Sequence, residues 1–62
     1  MTEVERVLMR RDGYSREEAA DALAEARDEV NEWAATGEGR DPEEILYEDF
    51  GLEPDYIFDL ML

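Results

Sequence analysis

Residues 15–37 read SREEAADALAEARDEVNEWAATG, and this stretch decides the fold. Its apolar residues recur every three or four positions, which is the spacing of one face of an α-helix. They are Ala19, Leu23, Ala26, Val30 and Trp33. Ser15 and Glu18 form the pattern of a capping box at the start, and Gly37 is typical of a helix end. The pattern therefore predicts a long amphipathic helix over residues 15–36.

Capping residues, prolines and glycines mark three shorter helices around this long one. The first helix is marked by the capping-box pair Thr2 and Glu5 at its start and by Gly13 at its end. The third is marked by the cap Asp41, followed by Pro42 and by Glu44, which closes a further box, and it ends at Gly51. Pro54 marks the start of the last helix. Apolar residues with helical spacing follow each start; the expected inward-facing ones are Val4, Val7, Leu8, Ile45, Leu46 and Phe50. We predict an all-α fold, a compact bundle of three to four helices in one domain over residues 1–62. The expected helices cover about residues 2–11, 15–36, 41–50 and 54–61.

The composition excludes several classes of site. The chain has 19 acidic and 6 basic residues, no histidine and no cysteine, for a net charge of −13. Without cysteine it has no disulfide and no thiolate metal site, and without histidine it also lacks the usual zinc ligand and general base. No run of apolar residues approaches the length of a membrane span. We therefore predict a cytoplasmic protein that is not an enzyme, has no cofactor and does not insert into membranes.

The distribution of charge points to a structural role for the first helix. Residues 1–16 carry a net charge of +1, whereas residues 17–62 carry −14. We expect the basic first helix to lie beside the acidic second helix and to relieve its repulsion. All six basic residues are arginine. Together with the many acids, this choice is typical either of a protein from a halophile or of a GC-rich genome.

The closing residues 56–62, YIFDLML, are the first candidate for function. Six of the seven are apolar, although one face of a short helix is all that a small core can cover;. Either they only complete the core, or some remain outside it and contact a protein partner or a second copy of the chain. The candidate partner-binding residues are Tyr14, Tyr56, Phe58, Met61 and Leu62. We predict that the protein acts through protein–protein interaction.

A row of acids on the long helix is the second candidate. Its members recur every three or four residues: Glu17, Asp21, Glu25, Asp28 and Glu32. Neighbouring members lie about 6 Å apart on a helix, so the row is able to imitate a nucleic-acid backbone and occupy the basic groove of a nucleic-acid-handling protein. The simpler interpretation is a solvated face that attracts diffuse cations. The charge disfavours direct nucleic-acid binding by this chain.

The segment from Asp12 to Ala19, DGYSREEA, resembles the start of ubiquitin-associated (UBA) domains, in which a Gly-aromatic loop precedes a Ser-x-Glu-Glu-Ala helix start. The resemblance implies a ubiquitin-binding contribution from Gly13 and Tyr14. Asp12 stands where that family has methionine, and we interpret the match as convergence of local turn chemistry.

The chain as a whole resembles small uncharacterised proteins from prokaryotes and their viruses. The matching residues are Arg11-Asp12-Gly13, Ser15, Glu17-Glu18-Ala19, Ile45-Leu46 and Gly51-Leu52-Glu53-Pro54-Asp55-Tyr56 with Phe58-Asp59-Leu60. This resemblance implies no activity. It favours a small accessory protein, cellular or viral, over a fragment of an enzyme. Together with the acidic composition, this predicts an accessory protein of a halophilic prokaryote or of one of its viruses.

Overall fold

Four α-helices and two short helical turns form the structure, a computed structural model that describes residues 1–61. The helices are α1 (Glu3–Asp12), α2 (Arg16–Thr36), α3 (Pro42–Ile45) and α4 (Ile57–Met61). A π-helical turn, Leu46–Phe50, continues α3, and a 3₁₀ turn, Pro54–Tyr56, leads into α4. Every regular element in residues 1–61 is helical, so the all-α prediction is confirmed. The prediction for Leu62 lies outside the described residues.

Both predicted capping boxes in the first half of the chain are present. The side chain of Thr2 accepts a hydrogen bond from the N–H of Glu5, and the Glu5 carboxylate accepts one from the N–H of Thr2. Ser15 and Glu18 form the same reciprocal pair at the start of α2. These bonds satisfy N–H groups that have no partner within the helix. Short-range sequence therefore fixes where α1 and α2 begin.

The third predicted helix is only partly α-helical. Asp41 accepts a hydrogen bond from the N–H of Glu44, but the reciprocal half of the predicted box is missing. From Leu46 the backbone widens into a π turn, which inserts an extra residue into the helix;. The N–H of Gly51 then donates a hydrogen bond to the carbonyl of Tyr47, and the N–H of Leu52 donates one to the carbonyl of Leu46. The predicted helix over about residues 41–50 is therefore present, but its second half is π-helical.

The core lies between α1, α2 and the C-terminal segments. All the inward-facing residues predicted on α1 and on α3 with its π turn are buried, as are four of the five predicted on α2. The exception is Trp33, which is half-buried. It lies in the last turn of α2, where the short helices α3 and α4 cover only part of an indole. Leu52 and Leu60 complete the buried cluster.

Candidate functional site

The C-terminal helix α4 is attached to the rest of the molecule through Asp59. Its carboxylate oxygen Oδ2 accepts a hydrogen bond from the N–H of Val4 at 3.0 Å. Val4 lies in the first turn of α1, where backbone N–H groups lack partners within the helix and the helix dipole favours a negative charge. An acid 55 residues away in the sequence therefore caps α1 beside the local cap Thr2.

A second contact fixes the other side of Asp59. The Nε of Arg27, in the middle of α2, donates a hydrogen bond to the Asp59 carbonyl at 2.9 Å. Leu60, the next residue, is almost fully buried. These three contacts set the rotation of α4 about its axis, because they place residues 59 and 60 against α1, α2 and the core. The opposite side of α4 is consequently turned away from the core.

That outward side carries Ile57, Phe58 and Met61, which we call the α4 patch. Phe58 is 76 % exposed and Met61 is 56 % exposed, whereas Ile57 is half-buried against the core. Residues three and four apart are neighbours on a helix, so Met61 lies next to both Ile57 and Phe58. The patch thus brings two of the exposed large apolar side chains, Phe58 and Met61, together on one helix.

A shallow apolar groove adjoins the α4 patch and has a volume of about 280 Å³. It lies between the end of α2, the start of α3 and α4. Its lining residues are Trp33, Asp41, Pro42, Glu43, Ile57 and Met61. The groove is smaller than the ~300–1,000 Å³ of typical small-molecule sites. Its lining combines apolar side chains with two acidic residues.

The predicted partner-binding residues do not form one surface. Tyr14 lies at the turn between α1 and α2 and adjoins Phe50, whereas α4 contacts the opposite end of α1 through Val4. The ten residues of α1 separate the two places by about 15 Å;. Tyr56 is half-buried and packs against the core, so it contributes mainly to stability. Phe58 and Met61 are the members that the structure brings together.

The acidic row on α2 faces solvent. Its five members are exposed and, within residues 1–61, form no salt bridge. They lie on the side of α2 opposite to the buried Ala19, Leu23, Ala26 and Val30. Over residues 17–32 the row extends about 23 Å along the helix axis. The structure thus keeps these carboxylates together on one accessible face.

Arg40 organises the ion pairs that cross between elements. Its guanidinium donates hydrogen bonds to both carboxylate oxygens of Glu29 at 2.9 Å, to Asp49 at 2.8 and 3.0 Å, and to Glu48 at 3.2 Å. The hydrogen bond to Asp49, followed by those to Glu29 and Glu48, raises the pKa of Arg40. The cluster joins α2 to the π turn. It also holds Arg40, the last residue of the loop 37–40 between α2 and the α3 cap Asp41.

α1 lies beside α2, as expected, but its ion pairs are formed within α1. Arg6 pairs with Glu3 on its own helix, and Arg11 pairs with the adjacent Asp12, whose pKa is lowered by that hydrogen bond. No salt bridge joins the two helices among the residues that the structure describes. Arg11 instead donates a 2.6 Å hydrogen bond to the carbonyl of Phe50 at the end of the π turn. Arg6 and Arg11 of α1 therefore pair with acids of their own helix, and Arg11 also binds the π turn.

Two residues with a clear place in the structure were not among the predicted site residues. Asp59 interrupts an otherwise apolar run, and this lone charge was the signal for its capping role. Tyr47 is 75 % exposed on the π turn. No pattern in the sequence distinguished Tyr47 from the neighbouring buried residues of the π turn, Leu46 and Phe50.

No helix in the described chain has both the length and the apolar character needed to cross a membrane. Among residues 1–61, no group of three or more acidic side chains is arranged to hold a metal ion. None of the family models matches this chain, and neither the curated proteins nor the solved structures include a significant match. The two resemblances noted in the sequence therefore stay predictions.

Proposed function

We propose that this protein acts by binding another protein, a different chain or a second copy of itself, through the α4 patch. One observation supports the proposal above all: Phe58 is 76 % exposed although its neighbour Leu60 is buried. Contiguous exposed apolar side chains are costly on a small protein and are typical of interaction surfaces. The adjoining groove adds a concave feature in which a partner side chain is able to be buried.

The proposed surface is confined to one end of the molecule. It comprises Phe58 and Met61 together with the groove beside Trp33. It does not include Tyr14, because the length of α1 separates Tyr14 from α4. A binding role also fits the composition, since a chain without histidine or cysteine lacks the side chains that most often act as bases and nucleophiles;.

The experiment compares Phe58→Asp with Tyr47→Asp. Both substitutions add one negative charge in place of an aromatic ring of nearly equal exposure, 76 % and 75 %, but Tyr47 lies on the π turn outside the α4 patch. We expect Phe58→Asp to abolish self-association, measured as mass in solution across concentration, or capture of a partner from cells. Tyr47→Asp should leave both unchanged. A monomer at every concentration with no partner captured, or equal effects of both variants, would contradict the proposal.

A second candidate function is inhibition of a nucleic-acid-handling protein by the acidic row on α2. The observation that favours it is the exposure of all five carboxylates without a salt bridge in residues 1–61. This candidate predicts a basic partner whose binding weakens steeply with salt and is competed by DNA. Binding that survives molar salt and is lost in Phe58→Asp would instead support the α4 patch.

We also propose that the acidic surface is adapted to concentrated salt in the cytoplasm of a halophilic prokaryote, and that the protein is an accessory protein of the cell or of one of its viruses. Unpaired carboxylates on α2 repel one another, and salt reduces the Debye length from about 10 Å at 0.1 M to about 3 Å at 1 M. The melting temperature should therefore rise between 0.1 M and several molar salt. The Arg40 ion pairs are screened by the same salt and act in the opposite direction;. A flat or falling melting temperature would contradict the halophilic interpretation.

A further inference from the structure

We infer that the groove beside α4 receives a basic amphipathic helix of a different protein, with an apolar side chain inserted against Trp33 and Met61. The inference rests on the proposed function, because it specifies the partner of the same surface. It chooses between the two occupants, a different protein and a second copy, that the α4 patch by itself leaves open. Helix-in-groove binding uses apolar anchors three or four residues apart, with polar residues at the edges.

The acids at the groove disfavour a second copy of this chain. In a two-fold symmetric dimer the same surface lies on both sides of the interface. Asp41 and Glu43 would then be present on both sides of the interface, and each copy would bring a net charge of −13. Like charges placed opposite one another across an interface oppose association.

The two arginines of residues 17–62 are already engaged within the molecule. Residues 17–62 contain two basic residues, Arg27 and Arg40. Arg27 is directed to the Asp59 carbonyl, and Arg40 is surrounded by Glu29, Glu48 and Asp49. A partner whose lysines or arginines flank an apolar anchor therefore complements the groove in both charge and polarity.

Trp33 strengthens the complementarity and provides a reporter. It is half-buried and lines the groove, so part of its ring is accessible from that side. Indole is the aromatic ring that cations prefer, which favours a lysine or arginine next to the inserted anchor. It is also the single tryptophan of the chain. Any change in tryptophan emission of this protein therefore reports on the groove.

The test titrates the full chain with a synthetic tryptophan-free helical peptide that has leucines at positions i, i+4 and i+7 and lysines at the remaining exposed positions. Two control peptides have the same composition in scrambled order, or glutamate in place of lysine. We expect the first peptide to shift the emission of Trp33, and the controls to bind at least tenfold more weakly. Equal binding of the scrambled peptide, or of the glutamate peptide, would overturn the inference.

Two pairs of variants locate the binding site. Met61→Asp should weaken binding of the peptide at least tenfold, whereas Tyr47→Asp, outside the groove, should not change it. Both residues are exposed, so we expect both variants to fold, and circular dichroism checks this. Glu43→Lys, at the groove, should weaken it more than Glu25→Lys, which makes the same charge change in the acidic row of α2. Equal effects of the two lysine variants would show attraction by net charge alone and overturn the inference.

Measurements of self-association distinguish a failure of this inference from a failure of the proposed function. If wild-type protein forms dimers that Phe58→Asp abolishes and the basic peptide does not bind, the α4 patch is an interface but its occupant is a second copy. That result overturns the inference and supports the proposed function. If Phe58→Asp and Met61→Asp change neither association nor peptide binding, both fail.

Discussion

The N-terminal hairpin, residues 2–37, and the C-terminal segment, residues 40–61, achieve their order by different means. In the hairpin, each helix start is stabilised by a reciprocal pair of hydrogen bonds between residues three positions apart. The C-terminal segment consists of pieces of three to five residues, too short to be stable helices alone;. Its Phe50 and Asp59 carbonyls accept hydrogen bonds from arginines of the hairpin, and its Arg40 donates to Glu29.

This contrast shows how a chain of 62 residues combines a stable frame with an exposed apolar surface. The hairpin supplies most of the regular structure and two walls of the core. The C-terminal segment adds Ile45, Leu46 and Leu60 to the core. Asp59 fixes the rotation of α4, so Phe58 and Met61 point to solvent. The surface proposed to bind a partner therefore lies on the part of the molecule that depends most on tertiary contacts.

The largest effect is expected where the C-terminal segment is attached to the core by the buried side chain of Leu60. Leu60→Ala removes a leucine that is 1 % exposed and should lower the free energy of unfolding by about 2–5 kcal/mol;. Because a domain of this size has only about 5 kcal/mol or less to lose, a substantial fraction should unfold. Urea denaturation followed by circular dichroism measures this. Met61→Ala, on the same helix but 56 % exposed, is the control and should cost less than about 1 kcal/mol;.

The next effect tests whether the two regions are coupled through the cap that Asp59 gives to α1. Asp59→Ala should lower the free energy of unfolding by about 1–2 kcal/mol, because the N–H of Val4 and the α1 dipole lose their carboxylate partner;. Amide exchange at Val4 should accelerate with it. Asp55→Ala removes an exposed acid of the same segment and serves as the control. Equal losses in the two variants would rule out a special role for Asp59.

A smaller effect is expected at the contact between the end of α1 and the π turn. Arg11→Gln removes the donor to the Phe50 carbonyl and should lower the stability by less than Asp59→Ala, since the arginine is partly exposed and water replaces some of the bond;. Arg10→Gln makes the same charge change at an exposed neighbour and should cost less. The midpoint of urea unfolding measures both. A larger loss for Arg10→Gln would contradict the assignment of this tether.

The smallest effect concerns the local caps of the hairpin and their dependence on pH. The backbone N–H of Ser15, and secondarily its hydroxyl, lowers the pKa of Glu18. A carboxyl with a lower pKa in the folded state stabilises the fold above its unfolded pKa of about 4.3, and this contribution is lost as the pH falls through the folded value. The melting temperature of the wild type should therefore be higher than that of Glu18→Gln at pH 7. The difference between the two melting temperatures should shrink as the pH falls from about 5 to about 3. A constant difference across this range would contradict the role of the ionised carboxylate.

Much of the hairpin was predictable from the sequence, and the reason is physical. Thr2 with Glu5 and Ser15 with Glu18 interact over three residues, so the chain needs no tertiary context to place these caps;. The apolar spacing on α2 likewise fixed four of its five core positions. Trp33 was predicted on the buried face but is only half-buried. Its burial depends on how far α3 and α4 extend over the last turn of α2, which periodicity does not encode.

The candidate site was predictable only in outline. The apolar run at the C-terminus correctly suggested that some residues remain outside the core, and Phe58 and Met61 are such residues. The sequence also grouped them with Tyr14, which lies at the far end of α1, and with Tyr56, which packs against the core. Which side of a short helix faces outward depends on its neighbours, and a run that is apolar almost all round does not reveal it.

The sequence by itself determined the helical class, the boundaries of α1 and α2 and the acidic surface, since these follow from contacts within one or two turns. Only the tertiary structure decided the π turn, the capping of α1 by Asp59 and the outward side of α4. The bonds that fix them join residues 39, 55 and 32 positions apart. Such contacts form only when the core assembles, because the entropy of closing long loops must be offset by burial elsewhere.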